Sequence, residues 1–197
     1  MTTRRVAWRR SDEIETDEHC ALTIRDSGLS LVGTVLGAEN GQPVRIEYRV
    51  FTDAAGATTA VHVRDLRGFE TRTLVLDRNS KGSWSVDGKP ARALRGCSDV
   101  DLGCSPSTNT LPIRRLRLGI GSSHTIKAAW VRFPELEVVK ADQTYTRVDE
   151  FTYRYASGTF EGEISVDDDG LVTHYEVWKR TGYAVGPDDT APLDAQR

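Results

Sequence analysis

Apolar and polar residues alternate with a period of two along much of this chain. Val44, Ile46, Tyr48 and Val50 fall on one face, while Arg45, Glu47 and Arg49 fall on the other. That is the pattern of a half-buried strand. Ala60–Leu66 is rich in β-branched residues and follows a turn at Gly56, and Thr71–Arg78 places Leu74 and Leu76 on one face. Gly82–Val86 leads into an Asp87-Gly88 turn. In the second half, His124–Phe133 has Ile126, Ala128 and Trp130 on one face and Val131 and Phe133 on the other, which predicts a strand covered on both sides. Gln143–Val148 and Phe151–Ala156 read as aromatic strands. Gly158–Val166 and Gly170–Lys179 flank an Asp-Gly hairpin signal at Asp169-Gly170. Thr23–Arg25 and Gly28–Leu36 read as a further hairpin.

No long window has a clean helical period. Ser11–Leu22, with Ser11 as its N-cap, is the best candidate for a short helix. Regularly spaced short strands with Gly and Asp turns predict an all-β fold with at most a short helix. The expected form is a large curved antiparallel sheet, folded into a partly closed barrel or a sandwich. Length and pattern together predict one β domain over residues 1–180. A Pro-, Gly-, Ala- and Asp-rich tail over 181–197 is expected to be flexible.

Composition narrows the classes. The chain is 38% hydrophobic and 28% charged, which is globular rather than disordered. A net charge of -3 gives no electrostatic reason to expect nucleic acid. Met1–Arg10 carries arginines but no apolar run after them, and nowhere is there a stretch of the roughly 18–20 apolar residues that a membrane span needs. The expectation is a soluble, cytoplasmic protein that does not span a membrane. The three cysteines, Cys20, Cys97 and Cys104, have neither zinc-site spacing nor nearby histidines. They read as buried thiols, with a conditional Cys97–Cys104 disulfide or a reactive thiol as the alternatives. No metal or cofactor site is expected.

Gly96–Leu116 breaks the alternation. It is dense in residues that hydrogen-bond their own backbone: Ser98, Asp99, Asp101, Ser105, Ser107, Thr108 and Asn109. Pro106 and Pro112 are expected to bar helix propagation there. Such a stretch in a β domain is either an ordered corner or a site.

Within it, Asp99-Val-Asp-Leu followed by Pro106-Ser-Thr-Asn-Thr-Leu-Pro-Ile-Arg-Arg-Leu resembles the signature of the Putative glycolipid-binding family of bacterial proteins. Gly82-Ser-Trp-Ser-Val-Asp-Gly88, Trp130-Val-Arg-Phe-Pro134, Gln143-Thr-Tyr-Thr146 and Asp169-Gly-Leu-Val172 match in order and spacing, so the resemblance runs from about Trp8 to Arg180. It implies a large curved antiparallel β structure, similar in outline to bacterial lipoprotein carriers. It also implies a lipid or glycolipid as the small-molecule partner, and names no catalytic set.

The residues leave several roles open. Asp99 and Asp101 share a face if extended; they either cap turns and pair with Arg114 and Arg115, or bind a ligand, a cation or a proton. Asn109 either holds a turn or hydrogen-bonds a sugar hydroxyl. Arg114 and Arg115 serve in ion pairs or clamp an anion. The aromatics Trp8, Trp84, Trp130, Trp178, Tyr145, Tyr153, Tyr155 and Tyr175 suit either a core or a sugar face. Candidate ligand-binding residues are Trp84, Asp99, Asp101, Asn109, Arg114, Arg115, Trp130, Gln143 and Tyr145. No nucleophile elbow or HExxH motif supports catalysis, and His19, His62, His124 and His174 are scattered. A small enzyme using Asp99 or Asp101 with Asn109 and an arginine remains the competing reading, beside an interaction protein with no small ligand.

Overall fold

The computed structural model describes residues 2–187. Its strands are β1 (Thr2–Ser11), β2 (Ile14–Arg25), β3 (Gly28–Glu39), β4 (Gln42–Thr52), β5 (Thr58–Asp65), β6 (Arg72–Arg78), β7 (Trp84–Val86), β8 (Lys89–Pro90) and β9 (Asp99–Leu102). After the single α-helix, α1 (Thr110–Leu116), come β10 (Ser123–Arg132), β11 (Glu137–Arg147), β12 (Thr152–Ser157), β13 (Phe160–Val166), β14 (Val172–Tyr175) and β15 (Trp178–Pro187). All fifteen strands form one sheet in the order β8-β7-β6-β5-β4-β3-β2-β1-β15-β14-β13-β12-β11-β10-β9. Neighbours are antiparallel except β9, which runs parallel to β10. The all-β expectation holds, with a single curled sheet in place of a sandwich.

The sheet is not closed by a strand ladder. Its two ends instead meet through specific bonds. Thr58 donates from its backbone N to the Ser98 carbonyl (2.9 Å), and the Thr58 hydroxyl accepts from the Val100 amide (3.1 Å). The Trp84 indole N–H reaches the Cys97 carbonyl (3.0 Å), and Arg67 reaches the Pro134 carbonyl (3.0 Å). β9 and β10 consequently bury both faces: Val100, Leu102, Ala129 and Val131 on one, Asp99, Ile126 and Ala128 on the other. This is the double covering predicted for His124–Phe133.

Four local expectations are corrected. Ser11–Leu22 is not a helix; the chain turns at Asp12, whose carboxylate accepts from the Ile14 amide (3.0 Å), and enters β2. Thr16, Glu18, Cys20 and Leu22 are buried there while Glu15, Asp17 and His19 are exposed, which is a strand period with a charged residue on its inner face. Pro106 and Pro112 do not exclude helices. Pro106 opens a 3-10 turn (Pro106–Asn109) and Pro112 lies in the first turn of α1, where amides have no intrahelical acceptor. Gly170–Lys179 is two strands separated by a turn at Glu176-Val177 rather than one. The tail does not begin at 181, because β15 continues to Pro187 and pairs with β1 throughout, from Arg10↔Trp178 to Thr2↔Pro187. The rest of the expected tail, 188–197, lies outside the described residues.

The central segment is the keystone of the interior. From Cys104 to Ile113 every residue is buried. We call this stretch the plug. Chain buried this deeply must have its polar groups paired. Ser105 caps the 3-10 turn by accepting from the Ser107 amide (3.0 Å), and the Thr108 hydroxyl accepts from the Leu102 amide (3.1 Å). The cysteines are free and buried, as the thiol reading expected. No described helix is long and apolar enough to cross a membrane.

Candidate functional site

One side of the plug is pinned by hydrogen bonds to β2 and β4. Glu18 of β2 is 4% exposed, and its Oε1 accepts from the Ser105 hydroxyl (2.7 Å) and from the Tyr48 hydroxyl. The Tyr48 and Ser107 hydroxyls also share a hydrogen bond (2.8 Å). Gly33 makes this packing possible: a Cβ there would come within 2.3 Å of the Tyr48 ring. Glu18 Oε2 has no partner among the described residues, and burial pushes the carboxyl up to about 7. Glu18, Tyr48, Ser105 and Ser107 tie β2 and β4 to the plug.

The opposite side is open. Between the plug and strands β10–β15 lies a cavity of about 870 Å³. Its wall grades from exposed to buried along β11, where Val139 and Ala141 are half-buried, Gln143 is 2% exposed and Tyr145 1%. The floor is therefore at the Gln143 end. There the Gln143 side-chain amide donates to Asp101 Oδ2 (2.6 Å), and Tyr145 donates to Asn109 Oδ1 (2.9 Å). Asn109 in turn donates to the Pro106 carbonyl (3.3 Å). Burial pushes Asp101 up to about 6, against the opposing effect of its hydrogen bonds with Gln143 and Thr108.

Above the floor is an apolar collar of Trp130, Val139, Ala141, Tyr155, Phe160 and Tyr175. The aromatic rings brace one another. Tyr155 meets Tyr145 and Tyr175 edge-on at 5.2 and 6.0 Å, and Tyr175 stacks on Trp178 at 5.6 Å. The rim is charged, with Arg10, Asp12, Lys140, Asp142 and Glu176. Arg10 is held there in a fork to Asp12 (2.8 and 2.7 Å), its guanidinium 4.8 Å from the centre of the Trp178 ring. Trp178 is thus covered on one side by Arg10 and stacked with Tyr175.

Of the candidate residues, Asp101, Asn109, Trp130 and Gln143 line the cavity. Tyr145 lies beneath its floor. The others stand elsewhere. Asp99 is 1% exposed and is clamped by Arg115 (2.5 and 3.2 Å) and the Ser98 hydroxyl (2.7 Å). Arg114 donates to the Asp169 carbonyl (2.5 Å). Trp84 is core, bound to the Cys97 carbonyl. Sequence reasoning missed Arg10, Asp12, Ala141 and Phe160 at the cavity and Glu18 at the plug. Only Glu18 carried a signal, as an acid on the apolar face of an alternating run. Among the described residues no cluster of His, Cys, Asp and Glu could hold a metal ion.

A curled, unclosed β-sheet with a plug and an internal cavity defines a β-barrel-like protein. The chain belongs to the Putative glycolipid-binding family, whose model matches residues 5–180. A solved DUF1089-family protein from Pseudomonas aeruginosa is similar at 32% identity and a TM-score of 0.73, over 83% of this chain and 92% of that one. A β-barrel-like protein of unknown function, DUF1849, from Brucella abortus shares the fold, with a TM-score of 0.55 over 94% of this chain and 98% of that one; at 8% identity the likeness extends to the fold alone. No curated protein matches the sequence.

Proposed function

We propose that this protein binds a lipid-like molecule in the cavity beside its plug, with a glycolipid as the class suggested by the family's description. The observation that carries the reading is the cavity itself. Its volume of about 870 Å³ falls in the roughly 300–1,000 Å³ range of ligand pockets, and it combines an apolar collar with a few convergent polar groups. Burying a methylene yields about 0.8 kcal/mol, and association costs an estimated ~4–15 kcal/mol, so about ten methylenes give useful affinity. A bare sugar would bind weakly.

The enzyme reading needs Asp99 or Asp101 beside Asn109 and Arg114 or Arg115, and neither arginine lines the cavity that Asp101 and Asn109 border. Asp99 and Asp101 are on the same face of β9, but only Asp101 borders the cavity while Asp99 is spent on Arg115. The geometry therefore favours binding.

Native mass spectrometry and solvent extraction of the purified chain test the proposal. A co-purifying lipid, or a melting temperature raised by long-chain amphiphiles, is the expected result. Absence of both would remove its basis.

A further inference from the structure

We propose that the ligand sits head-down: an uncharged polyhydroxyl headgroup, such as a sugar ring, occupies the floor formed by Asp101, Asn109 and Gln143, and its hydrocarbon chain runs outward through the collar. This rests on the cavity being the ligand site, and adds which chemistry is read there and in which direction the ligand lies.

The polarity of the cavity sets the direction. Its deepest wall is hydrogen-bonding, and its middle is apolar, with Trp130, Ala141, Phe160 and Tyr175. A chain end inserted first would bring methyl and methylene groups against Asp101 and Gln143, stripping those groups of water with nothing in return. A polar head inserted first matches both zones.

The hydrogen-bonding inventory sets the head's chemistry. The floor offers acceptors and donors side by side. Asp101 is an acceptor with side-chain hydrogen bonds from Gln143 and Thr108, which leaves carboxylate lone pairs to spare. Each amide has two N–H groups. Gln143 spends one on Asp101, and Asn109 spends one on the Pro106 carbonyl. Gln143 also meets the Tyr155 hydroxyl, so the N–H left over is on Asn109. A hydroxyl both donates and accepts, so adjacent hydroxyls can donate to Asp101 while accepting from the Asn109 amide.

Charged heads fit less well. Among the described residues no lysine or arginine pairs with Asp101, and the rim arginine, Arg10, is already forked to Asp12. A carboxylate or phosphate on the floor would face Asp101 with no compensating cation. An ammonium head would satisfy Asp101 but leave the Asn109 N–H facing a cation.

Isothermal titration of the full chain at pH 7 tests this with four probes: decyl glucoside, decanoate and decyltrimethylammonium, each below its micelle concentration, and glucose. Decyl glucoside is expected to bind at least about tenfold more tightly than either charged amphiphile, a difference of about 1.4 kcal/mol. Glucose is expected to bind far more weakly. Asp101→Asn, with its fold checked by thermal melting, is expected to weaken decyl glucoside about tenfold and to leave decanoate unchanged or tighter. Equal or tighter binding of decanoate overturns the polyol floor while leaving a lipid-binding cavity in place. Tighter binding of the ammonium probe replaces it with a cation site. Failure of all three amphiphiles overturns the cavity reading along with this one. Should Asp101→Asn not fold, the probe series on the unsubstituted chain decides alone.

Discussion

On one side of the plug, Glu18 and Tyr48 hydrogen-bond directly to Ser105 and Ser107. On the other, Asp101 and Gln143 border a cavity of about 870 Å³. Both sides bury polar groups, and on both burial raises the pKa of an acid. What separates them is how the strands opposite meet the plug. On the first side Tyr48 lies over Gly33 and reaches the plug with its hydroxyl, whereas on the second Ala141, Tyr155 and Tyr175 stand around the cavity. A buried acid by itself therefore does not mark a site. A buried acid beside unfilled space does.

The comparison is most sharply broken by Tyr48→Ala. Removing this ring should cost about 4 kcal/mol, since it leaves a cavity and takes a hydroxyl from Glu18. Urea denaturation measures it. A loss below about 1 kcal/mol would mean that the plug is not anchored on this side.

Asp99→Asn comes next. It breaks a buried charge pair with Arg115, and a cost of about 3 kcal/mol is expected. Binding of a long-chain amphiphile to the folded fraction should be unchanged. Lost binding with intact stability would return Asp99 to the site.

Glu18 gives a pH signature. Its carboxyl rises from 4.5 in the unfolded chain to about 7 in the fold. The folded state therefore holds the proton more tightly. Its contribution is fully present below about pH 4.5 and is lost as pH rises through about 7. The upper bound on that loss is about 3 kcal/mol. Denaturation at pH 5 and pH 8 should show lower stability at the higher pH. Glu18→Gln should flatten most of this difference, leaving a smaller decline that ends near pH 6 from Asp101. An unchanged slope in the variant would place the titrating group elsewhere.

The smallest effect on stability is expected at the open side. Ala141→Trp fills existing space, so unfolding free energy should change by less than about 1 kcal/mol while amphiphile binding is lost. Retained binding would move the ligand out of the cavity.

How much of this was legible beforehand varied with the physics of each feature. Alternation in Val44–Val50 located β4, because one face of that strand is buried and the other is solvated. The same period in β2 was obscured by Glu18, a charged residue at an inner position, so Ser11–Leu22 with its Ser11 N-cap read as a short helix. Pro106 and Pro112 looked like breakers because a proline's tolerance depends on which helical position it takes, and that is fixed only once the start is known. Asp101, Asn109, Trp130 and Gln143 could be picked out as a motif. The cavity could not, since its lining comes from segments as far apart as Arg10, Asp101, Gln143 and Tyr175, and their approach is a property of the pairing rather than of any one strand. Asp99 and Asp101 look equivalent in the sequence. Only the position of Arg115 separates them.

The pairing of β1 with β15 has a consequence for how the chain reaches this state. Those two strands lie at the ends of the described chain yet sit side by side in the middle of the sheet order, from Thr2↔Pro187 to Arg10↔Trp178. Joining them closes nearly the whole chain as a loop, a costly contact to form early. The β2–β7 meander and the β10–β14 meander are each built from local hairpins and can assemble without it. The seam then unites two preformed arms, and it brings Trp8, whose indole N–H reaches the Val172 carbonyl (2.8 Å), across to the other arm. Mutations along β1 should therefore slow the final zipping step more than those within either meander, and make this strand the kinetic bottleneck of the fold.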